Sequence, residues 1–118
     1  MSDTSSATVT SIESTGRAII ARPQMKLMDD NALKSLEQRV EEAAAANPGV
    51  QLVILDLARV AVLPSLALGL LVRMADKCHA RDQELKLVGL QPPVRRVFAI
   101  TRLDRVFQLA DSVEAAID

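Results

Sequence analysis

Hydrophobic and polar positions along this chain switch between two periods, and the switches divide it into elements. Ala7 to Glu13 alternates weakly, which predicts a first strand. Gly16 supplies a turn, and Arg17 to Ala21 (Arg-Ala-Ile-Ile-Ala) reads as a second strand. Pro23 ends it, because proline has no N–H to give to a ladder. Gln24 to Met28 is an irregular connection. Asp29 or Asp30 then caps a helix, where a short side-chain oxygen accepts from a free first-turn amide and its charge suits the helix N-terminus. Leu33, Leu36, Val40 and Ala43 or Ala44 recur at helical spacing, with Lys34, Glu37, Arg39, Glu41 and Glu42 covering the rest. Asn47-Pro48-Gly49 stops that helix.

Val50 to Leu57 (Val-Gln-Leu-Val-Ile-Leu-Asp-Leu) is nearly all apolar. A short, β-branched run of this kind predicts a strand buried on both faces. Leu66 to Ala80 reads as a helix and Glu84 to Leu90 as another strand. Gln91-Pro92-Pro93 opens a helix from Val94 to about Thr101, since proline suits a first turn. Leu103 to Leu109 holds a short strand, and Asp111 caps a last helix through Ile117. The order is β-β-α-β-α-β-α-β-α, an α/β pattern in which strand, helix and strand in succession imply right-handed parallel crossovers. Residues 1–6 read as a frayed polar tail and residues 7–118 as one domain, with no repeat or linker.

Composition narrows the class. Of 118 residues only two, Phe98 and Phe107, are aromatic, so the core is expected to be aliphatic. The net charge of −1 argues against a nucleic-acid partner and against a polybasic membrane segment. A single cysteine, Cys78, cannot form an intrachain disulfide, which fits a reducing cytoplasm. The polar N-terminus has no apolar signal core, and the longest apolar run, Val60 to Val72, is too short to span a bilayer and is broken by Pro64, Ser65 and Gly69. A soluble, cytoplasmic protein without membrane insertion is expected.

The residues of common catalytic chemistry are not gathered. The one histidine, His79, lies late in a helix and reads as a solvated or dipole-facing residue. No cluster with metal-ligand spacing, phosphate-binding glycine loop or nucleophile elbow is present. Cys78 falls on the apolar side of its helix with Ala67, Leu71, Met74 and Ala75, and reads as a small buried hydrophobe. No metal, no cofactor and no enzymatic activity are expected.

Val60 to Arg73 is the segment that invites a function. It joins a buried strand to a helix, and the turn at the carboxyl end of a parallel strand is where α/β folds place ligands and partners. It runs Leu55-Asp56-Leu57-Ala58-Arg59-Val60 and then Leu63-Pro64-Ser65-Leu66-Ala67-Leu68-Gly69. Further on stands Pro92-Pro93-Val94-Arg95-Arg96-Val97-Phe98-Ala99-Ile100-Thr101-Arg102-Leu103-Asp104. Together, and in this order, these resemble the STAS domain of bacterial anti-sigma factor antagonists, with its strand ending in Asp, its Asp-Ser-Ser/Thr-Gly-Leu-Gly motif and its later Pro-x-Val-Arg-x-x-Phe-x-x-Thr-x-Leu pattern. The resemblance runs from about residue 8 to the end of the chain.

That resemblance implies a single α/β domain with a mixed sheet of four to five strands and about four helices. It implies a partner, an anti-sigma factor of the ATP-dependent serine kinase type, and a phosphorylation on the second hydroxyl of the motif that blocks binding. Here that position is Leu66, the acidic position is Pro64 and the following glycine is Ala67, while Ser65 and Gly69 remain. The usual phosphoserine switch is then absent or moved, and Ser65 is the remaining candidate phosphosite. Ser65 also reads as a helix cap bonding the amide of Ala67 or Leu68, worth ~1 kcal/mol.

On a helical wheel Ala67, Leu68, Leu71, Met74, Ala75 and Cys78 face the core, and Gly69, Arg73, Asp76, Lys77 and Ala80 face away. Leu66 falls with the second group, as an exposed contact point beside the flat spot of Gly69, or else folds under its own loop. Pro64, Ser65, Leu66, Gly69 and Arg73, with Asp29 and Asp30 of the neighbouring loop, are the candidate partner-binding residues. The expected state is a monomer or weak dimer. The alternatives are a scaffold or accessory STAS domain of a signalling assembly or lipid transporter, and a small-ligand module using the cleft by Ser65 and the Asp29–Asp30 loop.

Overall fold

In a computed structural model, residues 10–117 are described. The expected polar tail, and the part of the first strand before residue 10, lie outside the described residues. The elements are β1 (Thr10–Thr15), β2 (Ala18–Pro23), α1 (Asp30–Ala46), β3 (Leu52–Asp56), α2 (Ser65–Ala80), β4 (Glu84–Val88), α3 (Pro92–Ile100), a 3₁₀ turn (Leu103–Arg105), β5 (Gln108–Ala110) and α4 (Val113–Ile117). The element order is the expected one, and the five strands form one mixed sheet in the order β1-β2-β3-β4-β5.

β1 and β2 form an antiparallel hairpin with Thr15 opposite Ala18. Gly16 turns it with a φ of +53°, a conformation glycine adopts without penalty. β2, β3, β4 and β5 are mutually parallel, with Val53 beside Ile19 and Leu85. Gly89, at φ +71°, lets the chain leave β4 close to β3: a Cβ there would lie 3.1 Å from Asp56 Oδ1 and 3.3 Å from Ala58 Cβ.

Strand residues alternate between the two faces of the sheet. Ala21, Val53, Leu55, Leu85 and Leu87 point to one side, under Leu33, Leu36 and Val40 of α1, Leu71 and Met74 of α2, and Val94 and Phe98 of α3. Phe98 meets Phe107 edge-on, with ring centroids 5.6 Å apart at 67°. Ala18, Ile20, Ile54 and Val88 point to the other side and meet Ala116 of α4 in a much smaller cluster. Lys86 Nζ fastens that helix by donating to the Ala116 carbonyl at 2.8 Å. The predicted two-sided burial of the central strand holds, since Val53, Ile54 and Leu55 are fully enclosed.

Two differences sit at element ends. The run from Leu103 begins with a 3₁₀ turn, entered through Arg102 at φ +63°, and the strand occupies only Gln108–Ala110. The last helix is capped by Ser112, whose Oγ accepts from Ala115 N at 3.1 Å, and not by Asp111. For α1 the open choice resolves to Asp29, whose carboxylate accepts from Ala32 N at 2.9 Å. Asp29→Ala is expected to lower stability by ~1 kcal/mol in urea melts without changing the fold; an unchanged midpoint would show that the cap contributes nothing.

Candidate partner interface

The head of α2 is held by two loops sewn together through their backbones. After β3 the chain buries Leu57, Val60 and Leu63, leaves Ala58, Arg59 and Val62 exposed and half-buries Ala61. The amides of Ala61 and Val62 donate to the Lys26 carbonyl at 2.8 and 2.9 Å, and Met28 N donates to Val62 O at 3.1 Å. Leu27 and Val62 form a parallel bridge, so the β2–α1 and β3–α2 connections travel as a pair. The irregular reading of residues 24–28 gave no sign of this bridge. Both side chains point outward, Leu27 at 49% and Val62 at 52% exposure.

Pro64, at φ −64° and ψ 153°, is the N-cap of α2, and no side chain caps this helix. The expected capping role of Ser65 is thereby corrected. Ser65 is one residue too late: it is already the first helical residue, its side chain is exposed, and no hydrogen bond of its hydroxyl is present among the described residues. Ala67 and Leu68 turn into the core, while Leu66 stands out with 74% of its surface in water. Gly69 is exposed, and beyond its chain neighbours and its own helix backbone no heavy atom lies within 4 Å of where a Cβ would be.

Leu66, Gly69 and the half-buried Leu70 form one wall of a shallow groove of about 290 Å³, and Asp30 and Lys34 of α1 form the other. The expected site residues are thus only partly gathered. Pro64 and Ser65 adjoin the groove through Leu66, and Asp30 lines it. Asp29 is committed to its cap. Arg73 lies further along α2, its Nε 3.9 Å from Glu37 Oε2 of α1. Lys77 Nζ approaches the same oxygen at 3.4 Å and Glu41 Oε2 at 2.9 Å. Arg73 therefore belongs to an ion cluster that clamps α1 to α2 beside the groove. Lys34 and Leu70 are the residues the sequence reading missed; Lys34 stands one turn after Asp30, the spacing that puts both on one helix face.

Near the strand ends, Asp56 is held rather than free. Its Oδ1 accepts from Ala58 N at 3.1 Å and its Oδ2 lies 3.5 Å from Arg22 Nε, while Arg22 also donates to Glu13 at 2.6 Å. That hydrogen bond from Arg22 to Glu13 raises the arginine further above its ordinary value. Burial pushes the Cys78 thiol up, as expected of an enclosed cysteine. Among the described residues no group of three or more His, Cys, Asp or Glu side chains is placed to hold a metal, and no helix is long and apolar enough to cross a membrane. The arrangement offers an apolar ridge with a mixed-charge rim, suited to binding another surface.

Comparison with known proteins agrees with this architecture. BtrV of Bordetella bronchiseptica, named as an anti-sigma factor antagonist, is 34% identical over 86 residues, which are 73% of this chain and 74% of BtrV. The crystal structure of TM1081 from Thermotoga maritima, described in the same terms, superposes with a TM-score of 0.79 at 20% identity, covering 92% of this chain and 91% of that one. The Bacillus protein SpoIIAA matches in its unphosphorylated form with a TM-score of 0.74 at 22% identity, covering 93% and 94% of the two chains, and in its phosphorylated form with a TM-score of 0.67 at 22% identity, covering 93% and 97%. At these identities the solved structures establish the fold. The model of the STAS domain matches residues 10–116, and this chain belongs to the STAS domain family.

Proposed function

We propose that this protein is an anti-sigma factor antagonist that works by binding and not by catalysis, docking through the head of α2. The observation that carries the reading is Leu66, a large apolar side chain held in water on a rigid helix beside a groove. A single exposed leucine is ordinary, but Leu66 adjoins Leu70 and the open face of Gly69 in one groove, and contiguous exposed apolar surface of this kind marks protein contacts. The name of BtrV supports an anti-sigma factor as the partner; that this partner is of the ATP-dependent serine kinase type, met in a reducing cytoplasm, extends the reading from the two motifs and the single cysteine. The protein acts as a monomer or weak dimer, without nucleic acid and without cofactor.

The phosphoacceptor in this reading is Ser65. Thr101 Oγ1 is engaged with the Val97 carbonyl at 2.7 Å and Ser112 Oγ with Ala115 N, whereas the Ser65 hydroxyl is exposed and uncommitted. A phosphate at the first position of α2 suits the helix dipole and leaves the fold intact. It adds roughly 1.5 to 2 negative charges next to Leu66, where a docking surface must lose its water. The switch is thus moved by one residue from Leu66 and acts on the interface, not on stability. Incubation with the kinase partner and ATP is expected to add one phosphate, mapped by mass spectrometry to Ser65 and lost in Ser65→Ala. Label on Thr101 or Ser112, or label that persists in Ser65→Ala, refutes this placement.

A further inference from the structure

The fold accounts for only part of the second motif. Val94 and Phe98 are buried, Leu103 packs on the core, and Thr101 caps its own helix. What remains faces outward. Ile100 is 74% exposed and Val106 58% exposed. Between Arg95 and Val106 stand four arginines and one aspartate, and no lysine, in a chain whose net charge is −1. Arg95 reaches the exposed Asp111 at 3.5 Å. Arg96, Arg102 and Arg105 are exposed and form no ion pair among the described residues.

The backbone gathers these side chains. Arg96 and Ile100 lie four residues apart on α3 and share a face. Arg102 N donates to the Ala99 carbonyl at 3.2 Å, and Arg102 takes the left-handed conformation that glycine usually fills after a helix. The 3₁₀ turn then packs back on α3, with Val106 N bonded to Leu103 O at 3.0 Å. This helix and the turn packed on it thus expose two apolar side chains and three guanidinium groups without an ion pair among the described residues. Because α3 runs from the end of β4 back toward the start of β5, this surface extends from the flank of α3 at Arg96 to the amino edge of the parallel strands at Val106, away from the head of α2, which follows the carboxyl end of β3.

We propose that this is a second docking surface, for a protein partner that presents Asp and Glu side chains around an apolar centre, and that it is used independently of the α2 groove. The guanidinium fork matches carboxylates two bonds at a time, and arginine is enriched in protein interfaces where lysine is depleted. A second copy of this chain does not fit, since a twofold pairing sets arginines against arginines. An anionic membrane fits less well: three cations contribute about 1 kcal/mol each, and the patch has no aromatic side chain to anchor it.

A photo-crosslinking amino acid placed at Ile100, and separately at Leu66, in the full chain in its native cells tests this. The Ile100 adduct is expected on an Asp/Glu-bearing segment of another protein. Titration of that purified partner is then expected to show about tenfold or weaker binding by Arg96→Glu/Arg102→Glu, recovery when the partner's acids are changed to lysine, and a change within twofold for Leu66→Asp. An adduct only with a second copy of this chain, no adduct at Ile100, unchanged affinity in the reversal, or sedimentation of the wild type with phosphatidylserine vesicles that the reversal abolishes would each overturn it. The Leu66 probe reports the first surface in the same cells, so failure of one reading is distinguishable from failure of the other.

Discussion

Leu66→Asp is expected to weaken binding to the anti-sigma factor about a hundredfold or more, ~2.7 kcal/mol, with little change in melting temperature. Both halves follow from one geometry. Leu66 is 74% exposed in the free protein, so its removal opens no cavity, and surface changes of this kind stay within about 0.5 kcal/mol of stability. In the complex the same position would carry a carboxylate into a desolvated contact, beside an Asp30 already on the groove wall. Neighbouring Leu70 and the open face over Gly69 define how deep a partner side can reach. Calorimetric titration of wild type and variant, with thermal melts of both, checks the claim. Equal affinities would remove the head of α2 from the interface, and a large fall in melting temperature would show that Leu66 is part of the fold.

Phe98→Ala is the counterpart, with its effect in the fold: ~3–5 kcal/mol of lost stability, a large share of the ~5–15 kcal/mol that holds such a domain together. Phe98 is fully enclosed and rests edge-on against Phe107, the only other aromatic ring in the chain. Apart from Phe107 the core around it is aliphatic. Phe98→Leu, which keeps most of the volume, is expected to retain most of the stability. Denaturant melts of the two variants measure the difference; equal midpoints for Ala and wild type would mean that the site collapses around the smaller side chain.

The legibility of the chain differs by kind of interaction. Periodicity placed every helix and strand of the described residues in order, because one strand face or helix stripe must meet the core. The wheel on α2 separated Leu66 from Ala67 and Leu68, and the structure exposes the first and buries the other two. Ends were harder. Pro64 takes the N-cap position of α2 with no side chain able to cap, leaving Ser65 one residue inside the helix, and between Asp111 and Ser112, which both have suitable chemistry, only the backbone path decides. Contacts between distant segments were not legible. The Leu27–Val62 bridge, the Glu37–Arg73–Lys77 clamp and the groove wall of Asp30 and Lys34 depend on the register of elements far apart in the chain.

The order of the strands has a consequence for where any partner must bind. In sheets that wind both ways, the chain reverses its direction of travel across the sheet, and the two helices flanking the reversal part to leave a crevice that holds nucleotides. Here β2, β3, β4 and β5 follow one another across the sheet without reversal. Each right-handed crossover therefore returns on the same side, and α1, α2 and α3 pack over one face as neighbours. No topological switch point opens between them among the described residues. The proposed docking would then use what the ends and outer faces of those helices display, a surface matched to another surface.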